Sequence, residues 1–312
     1  MPDILGLDTS NYTTSTAWYR DGRIQQQKKL LPVRPGELGL RQSDAVFHHV
    51  QQLPDLLERL LADGSLQTLR AIGCSARPRS VAGSYMPCFT VGHGAARALA
   101  AVCGVPLHAF SHQQGHIAAA LWSAGRLDLL GRRFLAFHVS GGTTEAVLVQ
   151  PEEEDPFCAT VCARSLDLKG GQAIDRVGKI LGLPFPAGPA LEQLAGQSER
   201  KFRVRPSMRG ADCSLSGIEN RCQRMAQDRA PAADIARFCL DSVLAALDAM
   251  AAALQVQYPG LPMVFAGGVM SNAYLRGALE QKYNACFAQP AFSADNAAGV
   301  AVLAAWKEGL LP

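Results

Sequence analysis

Two histidines four residues apart, His112 and His116 in SHQQGH, are the residues of this sequence best spaced to do chemistry. On a helix that spacing sets both imidazoles on one face, close enough to grip one metal ion. The zinc-protease pattern H-E-x-x-H has the same spacing, and its second position is the Glu that activates water. Here that position is Gln113, and an amide cannot take a proton, so peptide hydrolysis is rejected. Two readings stay open: a metal site with another task, or two helix histidines without a metal.

Glycine pairs make a second set. Gly141-Gly142 in HVSGGTT and Gly267-Gly268 in VFAGG each follow an apolar run. Such pairs let the backbone approach a ligand, while the amides beyond them can hold phosphate. With the Thr/Ser-rich turn of residues 9–16, three of these turns point to a nucleotide held between two domains. Asp295, in SADNAA, stands where an apolar helix starts, as an N-cap or as a third, oxygen ligand for the metal. Asp175, in QAIDRVGK, is a surface charge four residues from Lys179 or a carboxylate aimed at a ribose or a substrate amine.

The elements that must position these residues alternate between strand and helix. ILGLD (4–8) and STAWY (15–19) read as strands flanking a small polar turn, with a second turn at Asp21-Gly22. Residues 43–62 have helical spacing, and Pro54 is expected to break or kink the run. A strand at 69–76, a helix at 89–103 and a strand at 105–110 lead to the two-histidine helix. At residue 134 the opening pattern returns: FLAFHVS is a strand, GGTT a turn and EAVLVQ a second strand. A repeat of that length predicts two related domains, 1–132 and 133–312. Helices follow at 173–182 and 232–257, then a strand at 262–268, a helix from about Asn272 and a closing helix, about 295–308, which is expected to pack back towards the first domain. The class is α/β.

Composition bounds the rest. The chain has 312 residues, 48% hydrophobic and 18% charged, with net charge +3, which describes a globular protein without a global basic field. One local basic run, ERKFRVRPSMR (199–209), reads as a solvated loop or a patch for nucleic acid. Nine cysteines, no C-x-x-C and no charged-then-apolar leader predict a reducing cytoplasm. No uninterrupted apolar stretch reaches about 18 residues, so no membrane span is expected.

Taken together, these stretches resemble the tRNA threonylcarbamoyladenosine synthase family, formerly named glycoprotein endopeptidases. ILGLDTS is similar to its opening strand and loop, SHQQGH to its H-H-x-E-G-H and HVSGGTTEAVLV to its L-V-S-G-G-H-T-Q. AIDRVGKILGLPFPAGP, CSLSGIE, FAGGVMSN and SADNAAGVA match further family motifs in the same order. The resemblance implies an actin-like (ASKHA) fold, two duplicated lobes around a nucleotide cleft. It implies one divalent metal ion, iron or zinc, on His112, His116 and Asp295. It implies an ATP- or AMP-type nucleotide or threonylcarbamoyl-adenylate among His138, Val139, Ser140, Gly141, Gly142, Thr143, Asp175, Gly188, Gly267, Gly268 and Asn272, with Asp8, Thr9 and Ser10 as contacts from the first lobe. The reaction implied is transfer of threonylcarbamoyl to the adenosine beside the anticodon of tRNA, aided by a smaller paralogous subunit and other complex members, and no nucleophilic side chain is needed.

Several positions depart from the family pattern. Gln114 and Gln172 stand for Glu, Thr143 for His, Glu145 for Gln and Glu219 for Lys, and SNYTT replaces S-C-D-E-T. These departures describe a diverged paralogue and keep two further readings open: a related nucleotide- and metal-dependent carbamoyl transfer to another acceptor, and a non-catalytic nucleotide-binding partner. The tRNA reading needs a basic surface, with Arg200 to Arg209, Arg77, Arg79, Arg132 and Arg133 as its candidates.

Overall fold

Strand β1 (Asp3–Asp8) is apolar on both faces, as a central strand must be, and the chain turns through Asp21-Gly22 between β2 (Thr13–Arg20) and β3 (Arg23–Leu30). Both turn residues have positive φ, 51° and 74°, the left-handed geometry of a tight hairpin. Then come α1 (Gln42–Leu61), β4 (Leu69–Arg77), α2 (Phe89–Cys103), β5 (Leu107–Ser111) and α3 (His112–Ser123). The computed structural model describes residues 2–10, 12–32, 40–62, 66–153, 155–283, 285–293 and 297–311.

Pro54 does not end α1, so of the break or kink expected there the break is absent. Proline at 54 deprives the carbonyl of Val50 of its helical donor, but Val50 and Pro54 both lie on the exposed face, where water can serve that carbonyl. The missed strand β3 is polar, RIQQQKKL, and has no apolar face for periodicity to find.

The chain falls into two units. Unit 1 comprises residues 1–132, 150–159 and 291–312, and unit 2 comprises 133–149 and 160–290. In unit 1 the sheet order is β3-β2-β1-β4-β5, with β2 antiparallel to β1 and β4 and β5 parallel to it and to each other.

The later elements are β6 (Phe134–Val139), β7 (Thr144–Gln150), β8 (Cys158–Arg164), α4 (Gly170–Ile180), α5 (Gly188–Ala195), β9 (Ser207–Arg209), β10 (Asp212–Ser214), α6 (Ser216–Gln227), α7 (Ala232–Gln257), β11 (Met263–Ala266), α8 (Ala273–Tyr283), β12 (Cys286–Phe287) and α9 (Ala298–Lys307). The main sheet of unit 2 runs β8-β7-β6-β11-β12, with β7 antiparallel to β6, and β11 and β12 parallel. This is the connectivity of the first sheet used again, with β6 in the place of β1 and β11 in that of β4. The repeat seen in sequence is therefore a repeat of topology.

A ladder of three rings, Phe137, Phe265 and Phe287, crosses β6, β11 and β12 with centroid spacings of 4.4 and 5.1 Å. Helix α7 closes the core above it. It is the one described helix long and apolar enough to cross a membrane, yet it carries Asp234, Arg237, Asp241 and Asp248 and buries Leu240, Leu247, Met250 and Leu254 in the core of unit 2.

Helix α9 belongs to unit 1. One face of its sheet presents Leu5, Leu7, Ile72 and Cys74 to Leu53 and Leu60 of α1 and Ala96 and Ala100 of α2. The alternate residues face α3 and α9. A methyl group on Gly73 would strike the carbonyl of Val300, and one on Gly299 the carbonyl of Gly115. Small residues thus let α9 lie directly on β4 and cross α3 one residue before His116.

Candidate active site

In unit 1, Asp8 ends β1 and is fully buried. Its Oδ1 accepts the Ser10 amide at 2.7 Å, and its Oδ2 accepts Ser75 Oγ at 2.5 Å and meets His112 Nδ1 at 3.0 Å. Burial pushes this carboxyl up, but the charge and hydrogen bond of His112, with the bonds from Ser10 and Ser75, outweigh it. Asp8 is held below the ordinary carboxylate range.

His112 opens α3, and His116 follows one turn later with its ring centroid 4.2 Å away. With Nδ1 on Asp8, His112 would offer Nε2 to an ion, the carboxylate–histidine arrangement that fixes ring and tautomer in metal sites. Ser10 Oγ is buried without a hydrogen-bond partner among the described residues, as a site built for a polar ligand leaves it. The donor set thus fits a divalent ion. Among the described residues no group of three or more His, Cys, Asp or Glu is placed to hold one, so the pair needs a further ligand. Asp295 lies outside the described residues. The N-cap position of α9 is Ala297.

Gln114, between the histidines, is buried and fully used. Its Oε1 accepts the Ser111 amide at 2.8 Å, its own amide donates to Ser111 Oγ at 3.2 Å, and Nε2 donates to the Phe157 carbonyl at 2.9 Å. The first two bonds form a capping box on α3. Thr9 is also engaged: Oγ1 donates to Cys88 O and accepts from Gly92 N, both at 2.9 Å, tying the loop after β1 to α2. Burial, then the charge of Asp8, push Cys74 up to about 12.

In unit 2, the turn after β6 folds on Ser140. Its amide donates to Thr143 O at 2.7 Å, and its Oγ accepts the amides of Gly142 at 3.3 Å and Thr143 at 3.1 Å. The N-terminus of α4 docks beneath: Gly171 N donates to Ser140 O at 3.1 Å, and Gly170 N to Thr144 Oγ1 at 2.8 Å. A side chain on Gly171 would meet Gly141 N at 2.6 Å, and one on Gly267, where φ is 99°, would strike Val139 O. Val139, Ser140, Gly141, Gly142, Thr143 and Gly267 therefore converge, with Gly170-Gly171 as partners that the sequence reading did not single out. The signal was present as a third glycine pair at the head of a helix, KGGQAID.

The remaining candidates hold the surrounding helix ends. Asp175 Oδ1 accepts the amide of Ala187 at 2.8 Å, just before Gly188 opens α5. Asn272 Oδ1 accepts Leu275 N at 2.9 Å and caps α8, after the turn of 3-10 helix that begins at Gly268. Glu192 of α5 accepts the amide of Ala273 at 2.7 Å, joining α5 to the start of α8. His138 lies in β6 opposite Glu145. Asp167 also escaped the sequence reading. Its carboxylate takes Leu215 N at 2.7 Å and Ser216 Oγ at 2.6 Å, fixing the start of α6 to the approach to α4.

Comparison with known proteins is consistent along the whole chain. The family profile of TsaD, tRNA N6-adenosine threonylcarbamoyltransferase, matches residues 29–302. A tRNA N6-adenosine threonylcarbamoyltransferase of Thermus thermophilus is 30% identical over 312 aligned positions, covering 97% of this chain and 92% of the relative. Among solved structures, component A of the (R)-2-hydroxyglutaryl-CoA dehydratase of Acidaminococcus fermentans superposes with a TM-score of 0.57 at 15% identity, covering 99% of this chain and all of that one. A ROK family glucokinase from Streptomyces griseus gives 0.53 at 12% identity, covering 97% and 98%. These likenesses give the fold class, α/β of the actin-like ASKHA type. The chain belongs to the tRNA N6-adenosine threonylcarbamoyltransferase family, a family of acyltransferases.

Proposed function

We propose that this chain transfers a threonylcarbamoyl group from threonylcarbamoyl-adenylate to N6 of the adenosine beside the anticodon of tRNA. In that reaction the N6 nitrogen attacks the carbamoyl carbon, the bond from that carbon to the phosphate oxygen breaks, AMP leaves, and the N6 proton is lost to solvent or the leaving phosphate. His112, His116 and Asp295 would hold one iron or zinc ion. When bound, that ion supplies Lewis acidity.

The chain's own residues do the positioning. Asp8 fixes the His112 ring through Nδ1. In the Ser140–Thr143 turn, braced by Gly171 and Gly267, the amides of Ser140, Gly142 and Thr143 are spent within the turn, which leaves the Gly141 amide to meet a phosphate oxygen. Asp175 spends Oδ1 on Ala187, which leaves Oδ2 to accept from a ribose hydroxyl. Positioning and charge stabilisation carry such a transfer without a nucleophilic side chain. A cytoplasmic location, with tRNA at hand, is part of the same proposal.

The observation that carries the reading is the Asp8–His112–His116 constellation, in which a buried carboxylate orients one of two imidazoles whose centroids lie 4.2 Å apart. The experiment combines the purified chain, with and without its host's partner subunits, with threonylcarbamoyl-adenylate and unmodified tRNA, and seeks the modified nucleoside by mass spectrometry. Product that vanishes in Asp295→Ala is the expected outcome. No product from a chain that binds metal and nucleotide overturns it in favour of another acceptor.

A further inference from the structure

The segment from Lys201 to Arg209 alternates strictly in exposure. Lys201, Arg203, Arg205, Ser207 and Arg209 are exposed, while Phe202, Val204, Pro206 and Met208 are half-buried. Period two is the signature of extended backbone with one face on the protein. The inner face is anchored: Phe202 N donates to Asp241 Oδ2 at 2.9 Å, and its ring meets Phe238 edge-on at 5.5 Å. Phe202 and Val204, with Lys201 at the rim of the row, also line a cavity of about 450 Å³ shared with Leu244, Tyr274 and Leu279. Met208 packs on the core of unit 2, and β9 ends the segment in a ladder with β10.

The outer face is a row of four cations. Arg200, just before it, is paired with Asp234 at 3.3 Å and belongs to the anchor. Lys201, Arg203, Arg205 and Arg209 form no salt bridge with any described residue. Arg77, another basic candidate, is by contrast paired with Asp155 at 3.1 Å. Acids near the row are Glu199 at one end, Asp241 and Asp248, which share the cavity lining with Lys201 but are paired with Arg237 and Lys282, and Asp212, opposite Arg209, whose Oδ1 already takes the Arg164 amide at 2.8 Å.

We propose that Lys201, Arg203, Arg205 and Arg209 form a docking strip for the sugar–phosphate backbone of RNA. At about 3.3 Å per residue, alternate side chains repeat every ~6.6 Å and the row spans roughly 26 Å. A line of cations this long suits a linear polyanion, and three of the four are guanidinium groups, which engage phosphate through two hydrogen bonds. The apolar side chains of the segment point inward, so the strip offers a lipid surface charge without insertion. The inference rests on the proposed transfer to tRNA for the identity of the polyanion.

The test measures binding of unmodified tRNA to the full chain over a series of salt concentrations. It compares the parent with a variant carrying Lys201→Gln, Arg203→Gln, Arg205→Gln and Arg209→Gln. Losing four phosphate contacts should lower the slope of log K against log salt by about 3 and raise Kd about a hundredfold or more, with an unchanged melting curve. A variant with the parent's slope and affinity overturns the strip. So does a parent that binds phosphatidylserine vesicles or polyglutamate as tightly as tRNA. The transfer assay separates this from the reaction itself. A parent that binds tRNA through the strip yet makes no modified nucleoside defeats the reaction and leaves the strip. A variant that modifies tRNA with the parent's KM defeats the strip and leaves the reaction.

Discussion

Restoring the family's residue at position 114 should damage this protein. Gln114 Nε2 donates to the Phe157 carbonyl at 2.9 Å from a site only 1% exposed. Gln114→Glu keeps the capping bond from Ser111 but sets an acceptor against that carbonyl. An unpaired buried acceptor costs about 1–3 kcal/mol, and an ionised one costs more unless it takes a proton. The new carboxyl therefore has its folded pKa raised above the unfolded value of about 4.3. Below pH ~4 it is neutral in both states and can donate to Phe157, so the deficit nearly vanishes. Above that, the unfolded state releases its proton first, and the deficit grows until the folded pKa is passed. At about 2 kcal/mol, a unit of this size should lose roughly 4–8 °C in Tm near neutral pH. Melting curves of parent and variant from pH 4 to 8 measure it. A variant as stable as the parent at pH 8, or a deficit that does not change with pH, would refute the reasoning.

Three further outcomes follow from the geometry. Asp8→Asn should leave the fold intact and lower affinity for iron or zinc about 10–100-fold, read by titration of the metal-free chain, because His112 loses the partner that fixes its tautomer; unchanged affinity would remove Asp8 from the site. Gly171→Ala places a methyl 2.6 Å from Gly141 N, so it should displace the Ser140–Thr143 turn and weaken AMP binding more than metal binding, with calorimetry as the check. At Asp3, burial pushes the carboxyl up but hydrogen bonds from Arg20 and Thr68 outweigh it, holding it below the ordinary range. Its stabilisation is complete above the unfolded pKa and is lost as pH falls through the folded one, so Asp3→Asn should flatten the acid limb of the stability curve measured by urea unfolding.

Much of the fold was legible because this chain is locally consistent. Helices 89–103 and 232–257 carry apolar faces that place their ends without ambiguity, and the repeated strand–turn–strand at 134 gave away the duplicated sheet. What escaped has little periodic signal: polar β3, the two-residue β12 and the three-residue strands β9 and β10 owe their pairing to neighbours distant in sequence. At the site, residue types were readable and roles were not. Asp175 looks like a surface charge or a ligand contact and Asn272 like a ligand contact, and both turn out to hold helix N-termini, a task that depends on residues 12 and 3 positions away. The tether from Asp8 to His112 spans 104 residues, and only the sheet makes it local.

The departures from the family pattern take on a different meaning once their partners are known. Read as isolated losses of acid, Gln114 and Gln172 and the reversed charge at Glu219 describe a failing site. In the structure each is matched. Gln114 uses the amide hydrogen that Glu lacks, Gln172 Oε1 accepts the Lys169 amide at 3.1 Å to cap α4, and Glu219 pairs with Arg176 at 2.7 Å. A side chain drifting after loss of function has no reason to satisfy a buried carbonyl or to meet an opposite charge. Gln114 in particular stands between the two histidines and holds the turn that carries them, so its change preserves the frame of the candidate metal site. The three changes are therefore matched by partners in the folded chain, and they leave the tether between Asp8 and His112 in place.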